Sequence, residues 1–341
     1  KLKANFELES DLIDCNQLML AIGKGLQFSD QLASNSVGAF SEDSISVLET
    51  DHLLANTVDS VATDSISQLF VVPKFLDLTL HTNAKKIDFK DLKLEDVKGE
   101  VVIRDQSINL SDLCMSSNIG SGDLTMVYTT KTDQEATMGF ELSLNDILVE
   151  RLISLFPDID TLVPMLRSFE GMVDCQMTAT CKADSTMSVL LPSVNASCYL
   201  SGKNMVLLDG ETFTEISKTL MFKNKKRNMI DSIAVDLAIH DNKIEVFPFL
   251  VEMDRYKVAV GGTHNLDMTF DYHLSVLKSP VPFKLGIDIK GNLDDFKFKI
   301  VKCKYKDFLK PTKQAELDST RRNVREEIRE TIRKQIREAA P

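Results

Sequence analysis

Several features that would define a functional class are missing from this sequence. No apolar run approaches the roughly 18–20 residues that a helix needs to span a bilayer, and no signal peptide is visible. Nucleophile elbows, Walker loops, dinucleotide-binding glycine motifs, HExxH pairs and clustered Asp/His ligands are missing as well. We therefore predict a protein that is not an enzyme, with no catalytic residue, no cofactor and no metal.

The chain also lacks an excess of basic charge. Its 341 residues contain 40 Lys and Arg against 51 Asp and Glu, for a formal net charge of -11. A general nucleic-acid-binding protein normally carries a basic patch or stripe, so this balance argues against nucleic acid as a partner. Hydrophobic residues make up 43% of the chain and charged residues 27%, which indicates a globular protein rather than a disordered one.

Cysteine is present without a metal-binding or redox pattern. No CxxC pair occurs and the spacings are irregular, whereas a zinc site needs closer, patterned thiolates. Two interpretations stay open: buried small hydrophobic side chains, or one or more disulfides. The six residues are Cys15, Cys114, Cys175, Cys181, Cys198 and Cys303.

Alternation of apolar and polar residues is the dominant pattern that the sequence does contain. It predicts β-strands with one apolar face and one polar face, as in KFLDLTLH (74–81) and SIAVDLAIH (232–240). The stretch HNLDMTFDYHLSV (264–276) alternates without interruption and predicts one strand longer than the usual ~3–10 residues. Consecutive strands with short connections predict an antiparallel meander rather than a nucleotide-binding α/β sheet.

A weak internal repeat divides the chain. DQSINLSDLCM (105–115) resembles DNKIEVFPFLV (241–251), and a glycine-bearing turn and another alternating strand follow each copy. Two copies of one β module explain this more economically than two unrelated domains. We predict an N-terminal β module over 1–170, a C-terminal β module over 171–310, and a charged amphipathic helix over 311–341.

Three segments carry helical patterns. Residues 44–70 and 145–170 are predicted to contain short amphipathic helices, the second starting at Asn145 as its cap. The third, 314–339, has a thin apolar stripe and a basic excess. It could contact an anionic membrane or a protein partner, or it could be a solvated helix that closes the end of the sheet. The candidate contact residues are Arg321, Arg322, Arg325, Arg329, Arg333, Lys334 and Arg337.

The apolar strand faces allow two architectures. In a β-sandwich two sheets pack face to face; in the alternative, one long sheet curls into a half-pipe whose apolar inner face lines a groove. Long strands and few helical residues to cover them favour the groove. Each buried CH₂ is worth ~0.8 kcal/mol, so an acyl chain of roughly 16 carbons needs about 12 kcal/mol of replacement burial to leave a bilayer. The candidate lining residues are Ile233, Val235, Leu237, Ile239, Val258, Val260, Leu266, Met268, Phe270, Leu285, Ile287 and Ile289.

The C-terminal half carries a family resemblance. VAVGGTHNLDMTFDYHLSV (258–276) and PFKLGIDIKGNLDDFKF (282–298) resemble, in order and spacing, the C-terminal region of the AsmA family. The resemblance implies a Gram-negative envelope protein, anchored in the inner membrane by an N-terminal helix and otherwise periplasmic. It further implies an elongated β half-pipe that carries phospholipids in outer-membrane biogenesis. The family offers no catalytic residues to transfer.

Together these patterns predict a mainly β fold: a long curved antiparallel meander built from two related modules, with a few amphipathic helices. The predicted function is to shield or conduct phospholipid acyl chains; the alternative is an envelope scaffold that binds proteins through its sheet edges and C-terminal helix. The chain begins KLKANFELES, without Met and with alternation under way. We therefore expect the natural start to lie upstream of residue 1, where the AsmA resemblance implies an anchoring helix.

Overall fold

The structure, a computed structural model, describes residues 2–15, 17, 69–89, 92–117, 120–155, 168–208, 227–253, 256–265, 269–279, 284–292 and 295–339. Sixteen strands in these ranges form one sheet. They are β1 (Leu2–Ser10), β2 (Ile13–Asp14), β3 (Leu76–Phe89), β4 (Leu92–Arg104), β5 (Ser107–Ser117), β6 (Gly120–Thr129), β7 (Glu135–Leu148), β8 (Phe169–Glu170), β9 (Met172–Asp184), β10 (Asn195–Leu208), β11 (Arg227–His240), β12 (Lys243–Met253), β13 (Tyr256–Asn265), β14 (Phe270–Lys278), β15 (Leu285–Gly291) and β16 (Phe296–Val301). The described helices are α1 (Val149–Leu155), α2 (Pro311–Ala339) and a 3₁₀ turn at Leu191–Ser193.

The sheet is open and follows the chain almost strand by strand. Its order is β1-β3-β4-β5-β6-β7-β9-β10-β11-β12-β13-β14-β15-β16, with β2 beside β3 and β8 beside β10. The predicted mainly β fold with a long meander and a C-terminal helix is confirmed. The meander is not wholly antiparallel, because β1 and β2 both pair with β3 in parallel.

The strand registers place apolar residues on one side of the sheet from end to end. Leu78 lies opposite Ile103, Leu142 opposite Met177, and Leu274 opposite Ile287. We call this side the apolar face and the opposite side the outer face. A twisted open sheet of this many strands rarely stays flat, since twist accumulates from strand to strand. We therefore expect a sheet of this size to curl rather than to lie flat.

The two halves share turn and bulge positions. Asp105 and Gln106 have φ angles of 48° and 65° in the β4–β5 turn, and Asp241 and Asn242 have 50° and 61° in the β11–β12 turn. Two positive φ values in a two-residue hairpin loop define a type I′ turn, which matches the twist of the flanking strands.

Each turn is followed by a β-bulge at the same place. The first lies between Leu110 and Leu113, and the second between Val246 and Phe249. The number of residues between the two bulges is the same as the number of residues between the two turns. The second half therefore repeats the local geometry of the first over β4–β6 and β11–β13.

Two local predictions were wrong. The alternating stretch 264–276 is not one strand: β13 ends at Asn265, whose N–H donates to Thr269 O, and β14 begins at Phe270. Asn145 does not cap a helix, because it lies in β7 opposite Ser121. A helix begins only at Val149. The helix predicted over 44–70 falls outside the described residues except for its last two positions, 69 and 70, which are not helical.

Helix α2 lies across the outer face. It contacts β5, β6, β7, β9 and β10, and Leu317 near its start packs with Ala259 of β13. At 1.5 Å per residue a helix of 29 residues spans roughly 44 Å, enough to cross these strands at their ~4.8 Å spacing. The helix therefore braces both halves of the sheet on the side away from the apolar face.

Candidate functional site

The predicted lining residues lie on the apolar face. Ile233, Leu237 and Ile239 are buried in a large cluster formed mainly by β7, β9, β10, β11 and β12, and Val235 packs against it. A second cluster contains Val258, Val260, Phe270, Leu285, Ile287 and Ile289. The other two candidates, Leu266 and Met268, lie outside the described residues.

The second cluster shows how the sheet buries its own face. Its buried members are Leu274, Ile287 and Ile289, and Ile287 is 0% exposed. Every side chain in the cluster comes from β13, β14, β15 or β16, and no described helix contributes to it. Side chains of four neighbouring strands thus pack around Ile287. All sixteen described strands belong to one sheet, and we call this end of the apolar face, over β13–β16, the trough.

Several lining residues were missed by the sequence analysis. Tyr272 packs against both clusters, and Phe296 and Phe298 line the β16 end. Burial raises the pKa of Tyr272 to about 12, so the phenol stays neutral in the trough. The signal that could have found Tyr272 is parity, because it is two residues from Phe270 on the same strand.

Described segments cover two other parts of the apolar face. Leu69 and Val72 pack on Tyr128 and Ala136, held by hydrogen bonds from Tyr128 Oη to Phe70 O (2.8 Å) and from Val72 N to Thr130 Oγ1 (2.7 Å). Helix α1 buries Leu152 in the large cluster. The segment 69–72 lies near the start of β7 and α1 follows its end, so the two segments cover opposite ends of the strands.

The apolar face extends across the whole sheet. Neighbouring strands lie ~4.8 Å apart, so the path from β1 to β16 is about 60 Å long. That length runs across the strands, which places its two ends at the sheet edges.

The basic residues of α2 are divided between the sheet and the solvent. Arg325 Nη2 lies 2.7 Å from Asp236 Oδ1 and Arg321 Nη1 lies 3.5 Å from Asp236 Oδ2. Arg329 Nη2 lies 2.9 Å from Glu141 Oε1. We call these five residues the arginine clamp. Three of the seven predicted contact residues thus pair with carboxylates of the same chain.

Two further contacts fix the clamp on the outer face. Arg321 donates a hydrogen bond to Pro248 O, and the guanidinium of Arg325 lies 5.3 Å from the ring centroid of Tyr199. Tyr199 stands directly opposite Asp236 in the sheet. The charges are only partly exposed, which reduces their screening by salt.

The outward side of α2 is mixed in charge. Arg322, Arg333 and Lys334 are exposed, and the side chain of Arg337 lies outside the described residues. Glu326, Glu327 and Glu330 are exposed on the same helix. This mixture does not form the continuous basic face that favours an anionic membrane surface.

A buried Ser-His-Asp network joins the outer face to the segment before α2. His273 Nδ1 lies 2.6 Å from Asp288 Oδ1, and His273 Nε2 lies 2.9 Å from Ser275 Oγ. The spacing resembles a hydrolytic triad. However, Ser275 is 0% exposed and its Oγ accepts a hydrogen bond from Tyr305 N at 2.9 Å. A nucleophile needs access to substrate, so we assign this network to structure rather than catalysis.

The network depends on the backbone of residues 302–305 lying close to the outer face of the sheet. His273 Nε2 also accepts from Lys304 N at 3.1 Å. A Cβ atom on Gly286 would lie 2.5 Å from Lys302 O, and one on Gly261 would lie 2.9 Å from Tyr305 Oη. Glycine at these positions lets residues 302–305 lie against the sheet and direct the chain into α2.

Replacing Ser275 by alanine is expected to lower the free energy of unfolding by about 1–3 kcal/mol. The change leaves the partly buried Tyr305 N–H without its acceptor and removes one partner of His273. Urea denaturation of the full chain measures the loss. Ser232→Ala, at an exposed position on β11, is the matched control and should change stability by less than about 0.5 kcal/mol. Equal losses would mean that the hydroxyl has no anchoring role.

All six cysteines are free thiols. Cys175 and Cys198 are buried in the large cluster. A hydrogen bond with the Cys175 thiol, together with burial, holds the pKa of Cys198 well above its usual range. These two residues therefore behave as small apolar side chains, one of the two interpretations left open by the sequence.

The described residues offer little for other kinds of site. A cavity of about 360 Å³ lies between α2 and the outer face and includes Thr180, Asn195 and Glu245 in its lining. Within the described ranges, no three His, Cys, Asp or Glu side chains come together as metal ligands. No helix in those ranges combines the length and apolar character needed to cross a membrane. The chain matches no protein-family model, no curated protein and no solved structure.

Proposed function

We propose that the protein is non-enzymatic and shields or conducts phospholipid acyl chains along its apolar face. The observation that carries this proposal is the trough over β13–β16, where apolar side chains from four strands of one open sheet pack together. Acyl chains need a continuous apolar path, because each CH₂ left in water costs ~0.8 kcal/mol. The registers supply such a path across the strands.

The proposed setting is the periplasm of a Gram-negative cell, with the protein anchored in the inner membrane and acting in outer-membrane biogenesis. Support comes from the resemblance to the AsmA family at VAVGGTHNLDMTFDYHLSV and PFKLGIDIKGNLDDFKF. The first motif spans β13 and β14 and the second covers β15 and much of β16, so the resembling residues build the trough.

The scaffold alternative has less support from α2. Three of its arginines are committed to Asp236 and Glu141, and its exposed side carries both signs of charge. Lipid shielding would use the apolar face, which extends from β1 to β16.

Native mass spectrometry tests lipid binding. Gently purified protein, and protein incubated with vesicles of 16-carbon phosphatidylethanolamine and phosphatidylglycerol, should carry bound phospholipid. Val235→Glu is expected to reduce occupancy by roughly tenfold or more, because a carboxylate beside hydrocarbon loses its hydration. Phe270→Glu should act similarly, since Val235 and Phe270 are both partly buried on the apolar face.

Ala234→Glu is the matched control. Ala234 is the neighbour of Val235 on β11, exposed on the outer face, so this variant should retain lipid. Circular dichroism must show that all three variants fold. Lipid loss in the control, or retention by folded Val235→Glu and Phe270→Glu proteins, would contradict the proposal. Unfolding of both apolar-face variants would instead indicate a closed core.

A further inference from the structure

The sheet ends in two edges that no described strand covers. Among the described strands, β1 pairs only with β3, and β16 only with β15. An unpaired edge presents N–H and C=O groups to which another strand can bond. Both edges also expose large side chains on the apolar face: Leu2 is 59%, Phe6 53% and Ile300 67% exposed.

The outer sides of these two strands carry opposite charges. β16 presents Lys297 and Lys299, and β1 presents Glu7 and Glu9; all four are exposed. Lys3 lies on the same side of β1 and pairs with Asp77. Within the described part of the chain none of the four has an ion-pair partner. Lysine would repel a second β16, and glutamate would repel a second β1. Because Lys3 is already paired with Asp77, the lysines of β16 and the glutamates of β1 complement each other best when β16 meets β1.

Strand direction permits this meeting. β1 is parallel to β3, and an even number of antiparallel steps separates β3 from β16, so β1 and β16 run the same way. A second copy placed in the same orientation sets its β1 parallel to the β16 of the first. The apolar faces then continue on one side.

One register between β16 and the β1 of the second copy gives favourable side-chain pairs on both faces of the sheet. Placing Lys297 beside Glu7 also places Lys299 beside Glu9, because the side-chain period of both strands is two. The same register brings Phe296 and Phe298 to the positions of Phe6 and Leu8. Charges pair on the outer face while aromatic and aliphatic side chains meet on the apolar face.

We propose that β1 and β16 form a head-to-tail self-association surface whose partner is a second copy of this chain. The pairing joins two apolar faces into one longer face. β16 has only six residues, so the interface is small and its association weak and concentration-dependent. The inference does not rest on lipid carriage, since it concerns only strand edges and charge.

Sedimentation equilibrium of lipid-free protein, from about 10 to 500 μM, tests the proposal by charge exchange. The wild-type mass should rise with concentration. Lys297→Glu with Lys299→Glu gives two acidic edges, and Glu7→Lys with Glu9→Lys gives two basic edges. Each variant alone should associate roughly tenfold more weakly or worse, because like charges then face each other.

An equimolar mixture of the two variants should recover association, since each acidic edge then meets a basic one. All four positions are exposed, so unchanged urea denaturation should confirm folding. A wild-type protein that stays monomeric across the range would overturn the proposal. Self-association of either variant at wild-type strength, or a mixture that fails to recover, would overturn it too.

Discussion

Replacing Asp236 by alanine is expected to lower the free energy of unfolding by about 3–5 kcal/mol, the cost typical of removing one partner from a buried ion pair. The Asp236 side chain is 10% exposed and is shared by Arg321 and Arg325, which are 16% and 25% exposed. Without the carboxylate, two partly buried guanidinium groups face each other against the sheet. The loss should appear in urea denaturation of the full chain.

Asp231→Ala is the control for this change. Asp231 lies on the same strand and is exposed, so its loss should cost less than about 0.5 kcal/mol. A second variant, Asp236→Leu with Arg321→Met and Arg325→Met, removes the charges together. It should be more stable than Asp236→Ala, because no buried charge is left uncompensated. The clamp would be unimportant if Asp236→Ala and Asp231→Ala had the same effect.

Such a clamp gives α2 a role that its own sequence does not reveal. The basic excess of this helix left two interpretations open, a membrane or protein partner and a solvated helix that closes the end of the sheet. The spacing of Arg321, Arg325 and Arg329 puts them on one side of the helix. The structure supplies partners from β11 and β7 instead. A signal was present in SIAVDLAIH, where Ala234 and Ala238 flank Asp236 on the outer face. Small residues around one carboxylate leave room for another element.

The strands themselves were largely predictable because side-chain parity is a local property. Alternation in SIAVDLAIH identified β11, and Val235 and Leu237 share one parity and pack in the same cluster. Alternation does not identify which strand lies beside another, because strand pairing depends on residues that are far apart in the sequence. The parallel placement of β1 beside β3 was therefore not predictable.

Tertiary pairing also overrode local pattern at two places. Ile147 and Leu148 fit a helical stripe, yet they extend β7 beyond a bulge and pair with Val173 and Met172. In 264–276 the alternation continued through a turn, because His264 and Phe270 pair across it with the same parity. A turn that preserves parity leaves no interruption for a period-2 pattern to reveal.

The trough predicts an unequal pair of stability changes at two isoleucines that lie opposite each other. Ile287 on β15 and Ile300 on β16 are register partners on the apolar face, but they are 0% and 67% exposed. Ile287→Ala is expected to cost about 2–5 kcal/mol through lost burial and the cavity left behind. Ile300→Ala should cost less than about 0.5 kcal/mol. Urea denaturation at low micromolar concentration, where weak association is negligible, measures both.

This pair of substitutions distinguishes an open trough from a closed core. The two residues have the same type and lie on the same face of the same sheet, and they differ only in the exposed fraction of the side chain. In a trough, exposure rises from the curled interior towards the edge strand, so the two costs must diverge. In a sandwich, a second layer would cover Ile300 as well and raise its cost towards that of Ile287. Similar losses at both positions would show that β16 is covered in solution, which would contradict both the open apolar face and the free edge proposed for self-association.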